Sequence, residues 1–492
     1  MVGVPGRSKA CRTCRRRKKG CDLEQPSCGQ CRKACIPCEG YSTCLTIYRY
    51  NYEQGPELSH SKAEADTQSS LLFIPRTRVS PTKAESPSSV TVMDHVTFSH
   101  AALEYGFEGM FWDSYLPNRR CSSLFDYNQR TLGGSISVVR DLLPTSVLLR
   151  TALGAMALRS AASTNNDPHS TKEQAMRLHA SALQQMRKLV TTDNKNGLEL
   201  LSATRVFSFY EALYGSDWAD KGEHYRNWSV HNFGDLALMV SKPPNYYRTG
   251  VAHRLFVDGR VNLALHALTT RKGSILGQPP WLNDPWEYHP KTSKDLLVDI
   301  ILEIPSLYEG IDELEIKERF DSNSRQALQQ AAYTTIDRLL QWGNRCACQV
   351  VSSQPYWQHP PPFTTEELTG VHLMTFYWAT LIIAHDAYQK ISNGEPHDLD
   401  IDADECSRNI IHCIPLFLHP STGIFRQHLM PFPAVTAIRH LDSVQPSLLR
   451  PEREYIASIS GAPELAGMRK FMSSLQPHLF TGVKDTGMEP ER

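Results

Sequence analysis

The chain has 492 residues, 41% of them apolar, which is enough for two or three domains with a sizeable core and excludes a chain disordered throughout. Its 52 basic and 52 acidic side chains cancel, so whole-chain charge points to no partner. Between Met1 and Tyr50, however, 11 Lys and Arg stand against Asp22, Glu24 and Glu39, a local +8 that leaves −8 on the remainder, the pattern of a polyanion-binding module on a mildly acidic body.

The first ten residues, MVGVPGRSKA, lack the apolar stretch of a secretory signal, and no apolar run of about 18 residues that could span a membrane follows. The expectation is a reduced, intracellular protein without a membrane partner. Seven of the thirteen cysteines lie between Cys11 and Cys38, and in a reducing compartment clustered thiols bind metal more often than they pair covalently.

Six of those cysteines repeat one spacing. Cys11, Cys14 and Cys21 follow Cys-x2-Cys-x6-Cys, and Cys28, Cys31 and Cys38 repeat it 17 residues later. Such a repeat predicts two similar half-sites, each a short helix followed by an extended stretch. Structural zinc takes four tetrahedral ligands, so two Zn2+ ions need eight contacts, which six thiolates supply only if two of them bridge. Cys11 and Cys28, the first of each triplet, are the equivalent pair placed to do so. A segment this small has no apolar core, so metal binding and folding should be one event. Cys35 falls at the position of Lys18 in the first half and is expected to be a spare thiol, a ligand exchange with Cys38 being the alternative.

Arg12, Arg15, Arg16, Arg17, Lys18 and Lys19 stand between Cys11 and Cys21 without an acidic residue among them, whereas Cys28 to Cys38 holds only Arg32 and Lys33. The first half therefore reads as a cationic helix for double-stranded DNA. Arg and Lys donate to guanine O6 and N7 in the major groove while neighbouring cations neutralise phosphates. A solvated face or a nuclear-import signal is the plainer alternative for RRRKK.

The segment KACRTCRRRKKGCDLEQPSCGQCRKACIPCEGY resembles the fungal binuclear zinc-cluster transcription factors along its whole length. The resemblance implies bridging by the first cysteine of each half, a connecting loop shaped by Pro26, and a first helix whose C-terminal end reads a CGG-like triplet. Carried onto this chain it puts Arg17 and Lys18 at base edges and Arg15 and Arg16 nearer phosphates. The sequence departs from the family at Gly20, where a lysine is usual, with Lys19 adjacent. It also implies a nuclear regulator of RNA polymerase II transcription, of a metabolic or secondary-metabolite pathway, working with the transcription machinery or co-regulators. A non-DNA-binding co-regulator that uses the cluster as a protein-interaction scaffold is the rival.

Residues 1–45 are thus expected to form the zinc module. Residues 46–96, with SHSKAEADTQSS and RVSPTKAESPSSV, cannot bury enough surface to fold and read as a disordered linker. Leucine heptads are missing there and Pro56 interrupts the best stretch, so a linker coiled coil is not expected. A monomer, or a homodimer formed through the C-terminal part, is left open.

Residues 97–478 show helical periodicity, clearest in SVLLRTALGAMALRSAAS, KEQAMRLHASALQQMRKLV, GLELLSATRVFSFYEALYG and SRQALQQAAYTTIDRLLQWG. The prediction is a large all-α domain of roughly a dozen packed helices. Leu178, Leu183, Met186 and Leu189 are expected as one buried stripe, and residues 479–492 as a flexible tail. RLFVDGRVNLALHALTTRKGSILGQPPWLNDPW is similar to the helical regulatory domain of one branch of the same family, which implies control of the DNA-binding end by a small-molecule inducer or a partner protein. Arg271, Lys272, Trp281 and Trp286 carry that similarity and should fix a helix turn and its packing.

An enzyme is not expected: GxGxxG, GxxxxGK[ST], HExxH and GxSxG are absent. His224, His231, His253 and His266 are isolated and read as surface or satisfied packing residues. Cys346 with Cys348, and Cys406 with Cys413, read as ordinary buried thiols. The run DLDIDADEC is either a recruitment patch or, preferably, the acidic first turn of a helix.

Overall fold

A computed structural model describes residues 11–22, 24, 28–34, 36, 38, 47–49 and 57–59 of a first compact unit, Met1–Val90. Of a second unit, Thr91–Arg492, it describes residues 109, 111, 115, 135–162, 168–192, 197–215, 221–317, 322–346, 365–392, 399, 401–425, 430–462, 465 and 469–475.

In the first unit α1 (Arg12–Arg16) and α2 (Gly29–Lys33) are single turns packed on each other. Within the span expected as a linker, β1 (Ile47–Arg49) and β2 (Glu57–Ser59) pair antiparallel with Tyr48 opposite Leu58. Ile47 and Tyr48 are strand-forming residue types. The rest of 46–96 lies outside the described residues, as does the 479–492 tail.

The second unit is helical and has no strand among its described residues: α3 (Ser135–Leu142), α4 (Val147–Ala161), α5 (Pro168–Thr192), α6 (Gly197–Tyr214), α7 (Lys221–Val240), α8 (Gly250–Thr270), α9 (Pro279–Asn283), α10 (Ser293–Ile301), α11 (Ile304–Lys317), α12 (Ser322–Cys346), α13 (Thr365–Ser392), α14 (Ala403–Leu418), α15 (Pro431–Ser443) and α16 (Arg450–Ile459). Sequence neighbours pack on one another, α4 on α5, α6 on α7, and α12 through α15 in succession, around one continuous apolar core. None of the described helices is long and apolar enough to cross a membrane.

Local chemistry sets the ends. Ser146 caps α4 by accepting from Leu149 N at 3.0 Å. Thr292 and Asp295 form a reciprocal capping box on α10. Asp402 accepts from Glu405 N at 2.8 Å and Asp404 meets His440 Nε2 at 2.7 Å, so the acidic run starts α14. On α5 the buried side is Thr171, Ala175, His179 and Ala182, with Leu178, Met186 and Leu189 partly buried against the core, whereas Leu183 is exposed. Five residues from Leu178 is 500°, or 140° around the helix, so Leu183 cannot share that stripe.

Burial in this unit is not purely apolar. Arg205 of α6 is buried and pairs with Asp235 of α7 through Nε–Oδ2 at 3.0 Å and Nη2–Oδ1 at 3.2 Å, while also donating to the Leu255 carbonyl of α8. Arg260 of α8 pairs with Asp299 of α10, and Lys294 lies 3.7 Å from Asp258. Burial pushes the Asp258 carboxyl up to about 6 against the pull of Lys294. Paired in this way, each buried charge meets an opposite one.

The expected basic turn and its tryptophans are structural. Arg271, at φ 53°, turns the chain out of α8 while Lys272 N reaches Ala267 O at 3.3 Å. Its guanidinium donates to Asp312, Nε–Oδ2 2.9 Å, and lies 4.4 Å above the Tyr308 ring; Lys272 meets Glu309 at 3.1 Å. Trp281 is buried and stacks with Phe256, and Trp286 faces Arg260. The single histidines are tied into packing: His224 Nε2 donates to Glu211 O at 2.7 Å, His253 Nδ1 to Tyr247 O at 2.9 Å, and His266 Nε2 bonds Ser229 Oγ at 2.8 Å. Burial pushes His231 down to about 4. Cys406 and Cys413 are buried free thiols; Cys348 and the Cys346 side chain are outside the described residues.

Candidate metal centre and nucleic-acid interface

The two halves of the module are built by the same hydrogen bonds displaced by 17 residues. Cys14 N donates to Cys11 Sγ at 3.3 Å, and Cys31 N to Cys28 Sγ at 3.3 Å. Arg17 N reaches Thr13 O at 3.1 Å, matched by Ala34 N to Gln30 O at 3.2 Å; Lys19 N reaches Cys14 O at 3.0 Å, matched by Ile36 N to Cys31 O at 3.2 Å. Each half is thus one helical turn closed at its start by a sulfur acceptor and at its end by a six-to-one bond back to the second cysteine.

That repetition brings the six sulfurs together. Cys11, Cys14, Cys21 and Cys28 have ligand atoms within 4.8 Å of one another, as do Cys11, Cys28, Cys31 and Cys38, so the two four-thiol groups share Cys11 and Cys28. Sγ–Sγ separations are 3.6 Å for Cys11 to Cys28, 3.5 Å for Cys14 to Cys28 and 3.8 Å for Cys11 to Cys31. A disulfide needs about 2.05 Å, so these are free thiols. A zinc tetrahedron with Zn–S of about 2.3 Å has edges of about 3.8 Å. The donor set therefore fits zinc in number, element and spacing.

Cys11, Cys14, Cys28 and Cys31 are fully buried, and among the described residues Ile36 is the one carbon-only apolar side chain that packs beside the sulfurs. Burial and neighbouring thiols push Cys31 up to about 12 and raise Cys14 in the same way. Thiols so placed ionise when a cation takes the place of the protons.

The cationic run departs from a continuous helix. α1 ends at Arg16, and Lys18 adopts the left-handed conformation at φ 53°, which redirects the chain toward Cys21. Capture of the Cys14 carbonyl by Lys19 N ends the helix there. Arg17, Lys18 and Lys19 thus sit on the exit turn. They and Arg16 are exposed; the side chains of Arg12 and Arg15, and Pro26 and Cys35, are outside the described residues.

Sequence reasoning missed a contact between the halves. Asp22 Oδ1 accepts from Gly29 N at 2.9 Å and Glu24 N at 3.4 Å, and Glu24 pairs with Arg32. The signal was present in the adjacency of Asp22 to Cys21 and of Gly29 to Cys28, but nothing in their spacing says that they meet.

The family model of the fungal Zn(2)-Cys(6) binuclear cluster domain matches residues 9–46, which ends before the helical unit. No curated protein and no solved structure matches the chain. The spacing, the two shared four-thiol groups and this match agree: residues 9–46 carry a segment similar to the fungal Zn(2)-Cys(6) binuclear cluster domain, with its cysteines gathered as a metal centre requires.

Proposed function

We propose that the chain is a sequence-specific nuclear regulator of RNA polymerase II transcription. Cys11, Cys14, Cys21, Cys28, Cys31 and Cys38 hold two zinc ions, with Cys11 and Cys28 bridging. The observation that carries this reading is the pair of four-thiol groups with those two cysteines in common. When bound, zinc supplies the tie that a segment without an apolar core cannot supply itself.

Arg17 and Lys18, on the exit turn of α1, face base edges of a CGG-like triplet, while Arg12, Arg15, Arg16 and Lys19 neutralise phosphates. The exposure of Arg16 to Lys19 on one turn supports this. The helical unit regulates that activity through an inducer, a co-regulator or a second copy, in a metabolic or secondary-metabolite pathway, as the resemblance implies.

Two pairs of variants of the full chain test the reading. Cys28→Ala should lose both zincs and all specific DNA binding, and Cys35→Ala neither; zinc lost from the Cys35 variant would refute the ligand set. Lys18→Ala should relax base preference, whereas Arg15→Ala should weaken binding to all sequences alike and reduce the salt slope by about 1. Equal effects of both on every sequence would refute the division of roles.

A further inference from the structure

α2 begins at Gly29, immediately after Cys28, whereas α1 begins at Arg12, immediately after Cys11. The repeat breaks here for a steric reason: a Cβ on Gly29 would lie 2.3 Å from Asp22 Oδ2. The Asp22 carboxylate lies against the first turn of α2 and accepts from Gly29 N at 2.9 Å. Gly29 N is the amide that follows the Cys28 carbonyl, so this bond fixes the peptide plane leading out of the cysteine that both four-thiol groups share. Cys28 Sγ itself accepts from Cys31 N at 3.3 Å.

We propose that Asp22 is a positioning residue that holds the shared thiolate of Cys28 in place for both metals, with Gly29 leaving the space for it. The proposal rests on the two-zinc reading above. Asp22 follows the first-half ligand Cys21 directly in sequence, yet it acts across the module, joining the end of the first half to the start of the second. The exposed pair of Glu24 and Arg32, whose side chains are 55% and 60% accessible, lies beside the same loop and contributes little, as solvent-exposed pairs do. Residues that orient a metal ligand without touching the metal commonly change affinity by about 10- to 100-fold, and loss of a carboxylate acceptor at a helix start is a smaller effect of about fivefold.

The test is the rate at which a colorimetric chelator removes zinc from the purified, zinc-loaded full chain. Asp22→Ala should release both zincs about five- to tenfold faster and in one phase, because the loosened thiolate serves both. Asp22→Asn, which keeps an oxygen acceptor of the same shape, should stay within about twofold of the unaltered chain, and Arg32→Ala likewise. Gly29→Ala should reproduce the Asp22→Ala rate with the carboxylate still present, so the proposal is tested even if Asp22→Ala fails to fold.

Release from Asp22→Ala at the unaltered rate would overturn the proposal. So would acceleration of only one of the two zincs, which would mean that Asp22 acts through its neighbour Cys21. A zinc content other than two in the unaltered chain would instead overturn the cluster reading itself, and the proposal with it.

Discussion

Residues 11–38 and the helices from α3 to α16 are held together by different physics. The module is centred on six thiols, four of them fully buried, with Ile36 as its apolar neighbour. The helical unit has a continuous core of dozens of buried Leu, Ile, Val, Ala and aromatic side chains, into which charges enter as pairs. A fold that closes on a metal has its stability set by ligand chemistry. A fold that closes on apolar surface has it set by volume and by the pairing of whatever polar groups are carried in.

The sharpest separation of the two is metal removal. Chelation should unfold the module completely and abolish specific DNA binding, since structural zinc contributes on the order of 10 kcal/mol or more to such segments. Helical content of residues 135–475 and its thermal midpoint should be unchanged, as followed by circular dichroism. A chelator that melts the helical unit would break the comparison.

The converse change is Gly259→Ala. In an open helix interior that substitution stabilises by about 1 kcal/mol, but here the added Cβ would lie 2.0 Å from Arg205 Nη2. Displacing a buried guanidinium from Asp235 should cost about 3–5 kcal/mol, measured by urea unfolding, with zinc content unaltered. A stabilised variant would mean that Arg205 has room to move.

Acid should act on the helical unit through buried histidines. Burial lowers the His266 pKa from 6.5 to about 4, so between these values the unfolded chain binds the proton that the folded chain refuses. Stability is therefore intact above about pH 6.5 and falls as pH drops toward 4, by up to about 3 kcal/mol from this group. His266→Gln should flatten that part of the urea-midpoint profile; an unchanged slope would remove His266 as a cause.

The smallest expected effect lies in the module. Lys18 holds a left-handed conformation that costs a side-chain-bearing residue roughly 1–2 kcal/mol. Lys18→Gly should relieve that cost, slowing zinc release a few-fold while weakening base preference. Faster zinc release would mean that the Lys18 side chain, and not its backbone, maintains the turn.

The module was legible in sequence because metal ligation imposes a spacing and spacing is one-dimensional. The repeat from Cys11 to Cys38, the shared pair and the displacement of 17 all reappear as hydrogen bonds and sulfur contacts. The extent of α1 was not legible: composition from Arg12 to Lys19 suits a helix, and only the six-to-one bond from Lys19 N ends it at Arg16. In the helical unit, periodicity gave the elements, while Leu183 was placed inside because apolar character was counted without its angle around α5. Arg205, Asp258 and Arg260 could not be placed in the core from sequence, since a charged residue there depends on a partner 30 or more positions away. Asp22 and Gly29 are the same case on a smaller scale.

The measurement that bears most directly on the function is selection by the zinc-loaded full chain from a randomised duplex DNA pool, followed by sequencing of the retained molecules. The account predicts enrichment of a CGG-like triplet that disappears when zinc is chelated, its appearance singly or as a spaced pair reporting a monomer or a dimer. Retention without an enriched motif, or a motif that survives zinc removal, would contradict it.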